Sequence, residues 1–436
     1  MRDRLRRLAA LHIGLFAVVA AWVGYWQVVR GPDLAHHSEN PRLLLAEDRV
    51  QRGRILDRRL EVLAHSVRRG GRTVRVYPKK EVFAHPVGYR SLLLGKAGLE
   101  ASADAELLGM AEADSWRALR ARAGRPRRGL DVVTTLDARL QREVWLALGP
   151  RAGAVVVVAL TGGVVASASR PGFDPNHLEE TWAELRWSPA LPLVDRALSG
   201  LYPPGRPFGI VVLSAALSRG LVTLHSPVDC GGSGTQRIHL VRDVLTGDCD
   251  RALIQMGVAL GGRVLREMAE ALGLGQLPAT DVPAAAGGFP ELDERDRDAL
   301  ARVASGEGGV LVSPLQMAAV AATVARGGER VSPYFVTALR GELGVVDRTP
   351  ARPAMRILAP EVAHAVVEAM RVSGKGGVPA VSGVVRAAKE SVGWFVGLAP
   401  AQRPRLAVAV LVEGATEEVA NRVGQKVVEA ALRVVR

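Results

Sequence analysis

The sequence predicts an α+β protein attached to a membrane by a single N-terminal transmembrane helix. Two β-hairpin patterns, one near the middle of the chain and one near its end, bracket a series of helical segments, and this arrangement is typical of the α+β class. An apolar run from Leu8 to Val29 predicts the membrane helix. A length of 436 residues, 48% of them hydrophobic, is enough for two or three domains with sizeable cores.

The composition excludes several classes of protein. Charged residues make up 23% of the chain and there are two cysteines, which argues against a disordered chain and against a disulfide-rich scaffold. The net charge is +13, and arginine accounts for nearly all of the basic residues because the chain has only six lysines. This excess reflects either a compositional bias or an attraction to polyanions such as nucleic acid, anionic lipid or an acidic wall polymer.

The N-terminal apolar run decides among those polyanions. It is long enough to cross the roughly 30 Å hydrocarbon layer. Four arginines precede it and Arg30 alone closely follows it, so we expect a cytoplasmic N-terminus and an extracytoplasmic chain beyond the helix. A cleaved signal peptide is disfavoured because the run ends in Trp22, Tyr25 and Trp26 rather than in a small-residue cleavage site. Export argues against a nucleic-acid partner and favours the cell membrane as the location.

The rest of the chain divides into two parts that differ in composition and in expected secondary structure. Residues 31–128 are rich in arginine, with two short strands expected around the charged turn that follows Arg52 and a helix expected over Ala103–Ala123. The breaker-rich segment Gly124–Gly129 indicates a boundary. We therefore expect an anchor over 1–30, a small mainly β domain over 31–128 and a larger domain over 129–436.

The larger domain contains the two hairpins. Its first hairpin is predicted over Ala152–Leu160 and Val164–Ser169, where Gly162 and Gly163 supply the tight turn. The second is predicted over Gly393–Leu398 and Leu406–Val412. The other elements predicted by periodicity are a strand over Leu130–Leu136 and helices over Ala138–Leu148, Phe208–Arg219, Ala252–Leu260, Val264–Leu272, Pro314–Arg326, Pro360–Val372 and Glu417–Val435.

The chain contains a series of short motifs that follow one another in the same order as in a known protein family. Arg52–Arg58 fits the pattern RGxIxDR, and Thr134–Asp137 with Gln141 fits TTLDxxxQ. The other matching segments are Arg75–Pro78, Gly88–Tyr89, Gly98–Glu100, Gly153–Val156, Ala166–Pro171, Asp174–Asn176, Tyr202–Gly205, Ser313–Ala318 and Trp394–Pro400. Together they resemble the class B penicillin-binding proteins, which are monofunctional D,D-transpeptidases of bacterial wall synthesis. The resemblance implies a pedestal domain over 31–128 and, over 129–436, a β-lactamase-like transpeptidase domain with an antiparallel sheet flanked by helices.

The family's chemistry requires three motifs that converge on one cleft. In SxxK, a serine attacks the substrate carbonyl, and a lysine one helical turn later accepts the serine proton. SxN contributes a hydroxyl and an amide. K[ST]G lies on a strand, where its first residue binds substrate charge and its glycine leaves the cleft open.

All three motifs lack essential groups in this chain. Arg206 stands at the serine position of SxxK, and Gly209 stands at the lysine position. Asp248-Cys249-Asp250 matches SxN. K[ST]G matches Val384-Val385-Arg386 or, in a register three residues earlier, Val381-Ser382-Gly383.

A search of the whole sequence gives the same result. None of the six lysines has a serine three residues before it, and none precedes Ser-Gly or Thr-Gly. The lysines are Lys79, Lys80, Lys96, Lys375, Lys389 and Lys426. The single literal SxN, Ser38-Glu39-Asn40, lies just outside the membrane segment. The sequence therefore predicts no catalytic residues, and it indicates no cofactor and no metal site.

Three functions stay open at this point. The first is a non-catalytic scaffold or activator of a polytopic peptidoglycan glycosyltransferase, since the resemblance implies that anchor and pedestal contact such a partner. The second is a receptor that binds peptidoglycan stem peptides without turnover, and the third is a residual transpeptidase that uses unrecognised groups.

Two further expectations concern the structure of the cleft. Cys230 and Cys249, on the oxidising side of the membrane, can form a disulfide. The replacements Arg206, Asp248, Asp250 and Arg386 are two cations and two anions, which predicts that ion pairs fill the former cleft.

Overall fold

The computed structural model describes residues 2–26, 50–69, 72–109, 128–231, 238–245, 249–342, 344–349, 355–373, 377–387 and 390–434. The helices are α1 (Arg2–Gly24), α2 (Ala84–Val87), α3 (Gly98–Ser102), α4 (Asp104–Leu107), α5 (Ala138–Leu148), α6 (Leu178–Trp187), α7 (Gly209–Ser218), α8 (Asp250–Ala271), α9 (Arg297–Ala304), α10 (Pro314–Ala325), α11 (Pro360–Ser373) and α12 (Glu417–Val434). The strands are β1 (Ile55–Leu56), β2 (Val62–Arg69), β3 (Arg72–Val76), β4 (Arg90–Ser91), β5 (Gly95–Lys96), β6 (Asp131–Thr134), β7 (Gly153–Ala159), β8 (Val164–Arg170), β9 (Pro227–Asp229), β10 (Ile238–Leu240), β11 (Val336–Gly341), β12 (Gly344–Arg348), β13 (Ala380–Ala387), β14 (Glu390–Ala399) and β15 (Leu406–Glu413).

The N-terminal helix α1 is the membrane-spanning candidate. Its segment Arg7–Gly24 has a mean hydropathy of 1.7, and none of it is buried against the rest of the described chain. At its far end the ring centroids of Trp22 and Tyr25 are 6.1 Å apart, and those of Tyr25 and Trp26 are 5.9 Å apart. An apolar helix that ends in clustered aromatic rings fits a single-pass anchor.

A six-stranded sheet links the pedestal to the rest of the chain. Its strand order is β12-β11-β6-β1-β2-β3, so strands from the N-terminal part of the chain pair with β6 and with the late hairpin β11–β12. The predicted pair of short strands is confirmed: β1 and β2 run antiparallel, and the Asp57 carboxylate accepts the backbone N–H groups of Arg59 and Glu61 in their turn.

The helix predicted over Ala103–Ala123 is only partly realised. Ala103 has φ −104° and ψ 28°, which breaks the helical path between α3 and α4. The remainder of the prediction, from residue 110 onward to the boundary segment, lies outside the described residues.

The core of the larger domain is a five-stranded antiparallel sheet of order β13-β14-β15-β7-β8. The two predicted hairpins are confirmed and pair with each other through β15 and β7. Alternate residues face opposite sides, as strand geometry requires. On β14, Trp394 and Val396 join the core beneath helices α7 and α10, whereas Phe395 joins the core beneath α12. Strand β13 pairs only with β14 within this sheet and is therefore one of its two edge strands.

The helices α7 and α8 pack together over the first of those faces. The two helices predicted over Ala252–Leu260 and Val264–Leu272 form one element that is interrupted at Gly261, whose φ is +80°. The Glu294 carboxylate accepts the next two backbone N–H groups, from Gly262 at 2.9 Å and from Arg263 at 2.7 Å. A positive φ suits glycine, and the carboxylate caps the second half of the helix.

Polar contacts join the pedestal to the larger domain, and four of those in the described structure lie away from the sheet that the two share. The Asn176 side chain bonds both backbone groups of Tyr77, at 2.9 and 3.0 Å. The other three contacts are Gln141 Nε2 to the Val82 carbonyl, His85 Nε2 to the Pro192 carbonyl, and the Ser91 hydroxyl to the Glu179 carboxylate. The motifs around Tyr77 and Asn176, which are far apart in sequence, therefore meet at this junction.

Candidate functional site

The segment Tyr202–Gly205 places Arg206 at the start of a helix beside the sheet. The backbone of Tyr202 pairs with that of Val312, and the Trp394 indole donates to the Pro203 carbonyl at 2.9 Å. Gly205 then turns the chain with φ +58°, after which Arg206–Phe208 form a 3₁₀ turn that continues into α7. Arg206 thus lies where the three motif segments meet.

The Arg206 guanidinium binds two carboxylates and one carbonyl. Its Nε and Nη2 donate to Asp250 Oδ1 and Oδ2 at 2.9 and 3.1 Å, a bidentate pair. Its Nη1 donates to Glu417 Oε2 and to the Ser382 carbonyl oxygen, both at 3.2 Å. The hydrogen bonds to Asp250 are the main cause of a raised pKa of Arg206. Only 15% of the Arg206 side chain is exposed, so the cation is largely buried among these acceptors.

The Ser382 hydroxyl extends this network to the C-terminal helix. It donates to Glu417 Oε1 at 2.8 Å and accepts from Asn421 Nδ2 at 2.9 Å. We refer to Arg206, Asp250, Ser382, Glu417 and Asn421 as the Arg206 network. Its ion pairs and hydrogen bonds connect the 3₁₀ turn before α7, the start of α8, the edge strand β13 and the first two turns of α12.

The edge strand β13 places Ser382 and Gly383 beside Arg206. A Cβ atom added at Gly383 would lie 2.9 Å from the Arg206 Cβ, so Arg206 occupies the space beside this glycine. Val381 is fully buried, whereas 51% of Val384 is exposed. Val385 packs against Gly205, where an added Cβ would lie 3.1 Å from the Val385 Cβ. In the register Val381-Ser382-Gly383, the second and third residues lie against Arg206.

The structure does not describe the side chains of two of the predicted cleft residues. Asp248 is not among the described residues, and only the backbone of Arg386 is described. The expectation that Arg386 fills the cleft is therefore still a prediction. The ion pair expected between an arginine and an aspartate is present as Arg206–Asp250.

A side chain at Gly209, the residue matched to the lysine of SxxK, would have to displace the ends of two leucine side chains. A Cβ added at Gly209 would lie 2.9 Å from Leu253 Cδ1 and 3.0 Å from Leu245 Cδ2. The buried Ser214, further along α7, donates its hydroxyl to the Ile210 carbonyl at 2.6 Å, which is a contact within the helix. The described part of α7 therefore offers neither a lysine nor a serine that faces the Arg206 network.

Cys230 and Cys249 are joined by a disulfide beside this network, and their Cα atoms are 4.2 Å apart. Cys249 is the N-cap residue of α8 and directly precedes Asp250. The bond thus ties the start of α8 to the end of β9. Among the described residues, no group of three or more histidine, cysteine, aspartate or glutamate side chains could hold a metal ion.

The sequence analysis missed Glu417, Asn421 and the contacts of Ser382. Glu417 and Asn421 lie on α12, which the sequence predicted correctly as an amphipathic helix. Their spacing of four residues places both on one helix face. Nothing in the sequence indicates that this face meets β13, because that contact depends on the tertiary packing of α12 against the sheet.

Comparison with known proteins places this geometry in a family. Residues 152–433 match the penicillin-binding protein transpeptidase domain, and residues 52–132 match the penicillin-binding protein A dimerisation domain. The chain belongs to the penicillin-binding protein transpeptidase family, in its class B branch. The family and the α+β fold class that the sequence predicted are both confirmed.

Individual relatives cover nearly the whole chain. The peptidoglycan D,D-transpeptidase PbpA of Mycobacterium tuberculosis is 32% identical over an alignment of 500 positions, gaps included, which covers 99% of each chain. The peptidoglycan D,D-transpeptidase MrdA of Acinetobacter baumannii is 25% identical and covers 78% of this chain and 63% of its own length. The structure of penicillin-binding protein A from M. tuberculosis in an imipenem acyl-enzyme complex matches with a TM-score of 0.81 and 33% identity, over 88% of this chain and all of the other. The chain is thus a penicillin-binding protein of the peptidoglycan-synthesis family.

Proposed function

We propose that this chain is a catalytically inactive, membrane-anchored penicillin-binding protein that acts in peptidoglycan synthesis as a scaffold or activator of a polytopic glycosyltransferase. The N-terminus is cytoplasmic, because arginines cluster before the apolar helix, and the bulk of the chain is extracytoplasmic. In this proposal 1–30 are the anchor, 31–128 the pedestal and 129–436 a transpeptidase-like domain. The surfaces that bind the partner are the anchor and the pedestal.

The observation that carries the proposal is the position of Arg206. At the start of α7, where the family places its nucleophilic serine, the chain has a guanidinium in a bidentate ion pair with Asp250. A guanidinium is neither a nucleophile nor a proton acceptor at physiological pH. Removing one nucleophile or base from a cooperating serine hydrolase costs about a million-fold in kcat. Loss of the serine, of the lysine and of K[ST]G together leaves no physiological transpeptidation.

The same contacts argue against a stem-peptide receptor. An edge strand can bind an extended peptide only through its free backbone groups. On β13 the Ser382 carbonyl already accepts from Arg206, and Arg206 occupies the space beside Gly383. These contacts favour a scaffold over a receptor.

Labelling with a fluorescent penicillin tests the loss of activity. The purified full-length chain is incubated beside penicillin-binding protein A from M. tuberculosis, a relative solved as an acyl-enzyme with imipenem. We expect the relative to carry a heat-stable label and this chain to carry none. Stoichiometric labelling of this chain would contradict the proposal and support a residual transpeptidase.

Two binding measurements separate the scaffold from the receptor. Co-purification from membranes with a polytopic glycosyltransferase supports the scaffold, provided that the complex survives in mild detergent. Calorimetric titration with a peptidoglycan stem peptide supports the receptor if binding saturates and is lost in an Asp250→Asn variant. Stem-peptide binding without co-purification would overturn the proposed order of the two functions.

A further inference from the structure

A histidine lies buried in the junction between the pedestal and the transpeptidase-like domain. His85, on α2, is 8% exposed. Its Nε2 lies 3.0 Å from the Pro192 carbonyl oxygen of the other domain. Its ring also packs edge-on against Phe173, with centroids 5.5 Å apart. The ring thus makes one polar and one aromatic contact across the junction.

The loop that receives His85 carries charged residues. The Asp195 carboxylate accepts the backbone N–H groups of Ala197 and Leu198 at 2.9 and 3.2 Å. The Arg196 guanidinium binds the carbonyls of Ala190 and Leu191 and the Glu413 carboxylate. Asp195 and Arg196 both act electrostatically on His85, with opposite sign, and Glu413 offsets the charge of Arg196.

We propose that His85 makes the attachment of the pedestal to the transpeptidase-like domain sensitive to pH, so that acidification outside the membrane loosens the junction. The proposal goes beyond the scaffold function and does not depend on it. In the neutral state, His85 donates Nε2–H to Pro192 and places no charge against Phe173. Protonation puts a cation in this buried position, near Arg196, at a cost in desolvation that Asp195 offsets only in part.

The direction of the effect follows from the pKa values. Burial lowers the pKa of His85 below its ordinary value of 6.5. The state in which the contact around His85 is open therefore takes up a proton first as pH falls through about 6.5, and the free energy that favours the closed contact falls with it. Burial raises the pKa of Asp195, so protonation of Asp195 favours the joined state and opposes the effect of His85. Asp195 takes up its proton in the joined state above its ordinary pKa of 3.8, so the two effects oppose each other, and removal of His85 isolates the part that His85 contributes.

Hydrogen exchange of the full-length chain in detergent micelles tests the proposal. We expect amides of Ala84–Val87 and of 190–198 to exchange faster at pH 5.5 than at pH 7.5, after correction for intrinsic rates, by roughly tenfold for each unit of pKa difference. In a His85→Gln variant, which keeps a side-chain donor but cannot titrate, the faster exchange at pH 5.5 should be absent. The matched control is His177→Gln, because His177 is an exposed histidine that should leave the response unchanged.

A second measurement does not depend on the variant folding. The ring proton of His85, followed by NMR in the unmodified chain, should titrate below pH 6.5. A titration at or above 6.5 would overturn the proposal, as would an equal pH response in the parent and in the folded His85→Gln chain.

Discussion

At residue 206 a cation begins a helix, although the partial positive charge at a helix N-terminus favours an anion there. Two carboxylates, of Asp250 and Glu417, compensate for this placement from neighbouring helices. The Ser382 carbonyl adds a third acceptor. A single side chain therefore depends on three separate segments, and its removal affects all of them.

The first prediction is that Arg206→Ala destabilises the chain by about 1–3 kcal/mol, because Asp250 and Glu417 lose their shared, mostly buried cation. Urea unfolding followed by circular dichroism measures the change. The control is Arg219→Ala, since Arg219 forms an exposed pair with Glu267 and its removal should cost less than about 0.5 kcal/mol. Equal effects of the two variants would show that the Arg206 network contributes no more than a surface pair.

The second prediction concerns restoration of the first motif. Arg206→Ser combined with Gly209→Lys rebuilds SxxK in sequence, but we expect no labelling by fluorescent penicillin. K[ST]G still lacks its lysine, and Leu245 and Leu253 occupy the space that a side chain at 209 would enter. The second change should also cost about 1–3 kcal/mol through overpacking. Gly209→Ala adds a smaller side chain at the same position and is the control for the cost of overpacking. Stable labelling of the double variant would contradict the prediction.

At the scale of elements, the helices and hairpins predicted for the larger domain form close to the predicted residues, whereas α6, α9 and the β11–β12 hairpin were not predicted. Helix α5 begins and ends at the predicted residues, Ala138 and Leu148, since its apolar spacing and its N-cap Asp137 are both local signals. The sequence predicts the break at Gly261 only as the unassigned stretch between two separate helices, whereas the structure has one helix interrupted there. Its cap, Glu294, comes from a charge run that resembles a solvated turn, and no local pattern connects residues 32 positions apart.

The third prediction is that Glu294→Ala weakens the second half of α8, since the amides of Gly262 and Arg263 lose their acceptor. We expect a loss of about 0.5–2 kcal/mol, which is typical of a helix cap. Hydrogen exchange over residues 262–271 measures it locally. Glu291→Ala, at an exposed position in the same charge run, should leave that exchange unchanged, and a similar rise in both variants would argue against a capping role.

At the scale of the whole molecule, the order of motifs predicted the family and the fold class, and the contacts between distant segments could not be predicted. The six-stranded sheet combines β1–β3 with β6 and with a hairpin some two hundred residues later, so the pedestal and the transpeptidase-like domain share one sheet. Likewise, Arg206 and Asp250 were selected from their spacing in the sequence, whereas Glu417 joins them only through the packing of α12. Pairings of this kind depend on tertiary structure, which a local pattern does not encode.

The fourth prediction addresses the anchor. Replacing Leu8–Val29 with an unrelated transmembrane helix of equal length should reduce co-purification of the glycosyltransferase partner, because the proposal places part of that contact in the membrane. Arg206→Ala, tested in parallel at a temperature where it remains folded, should retain the partner. Full retention by the swapped anchor together with loss in Arg206→Ala would assign the contact to the former cleft instead.

The Arg206 network also bears on how this chain could change over evolutionary time. A single mutation that returned serine to position 206 would leave Asp250 and Glu417 facing a site without a cation, and it would restore no activity while position 209 remains glycine. Each separate step back toward an SxxK enzyme therefore lowers stability before any catalytic advantage exists. Natural selection would remove such intermediates, and this disfavours a return to an active enzyme by single substitutions from the inactive state proposed here.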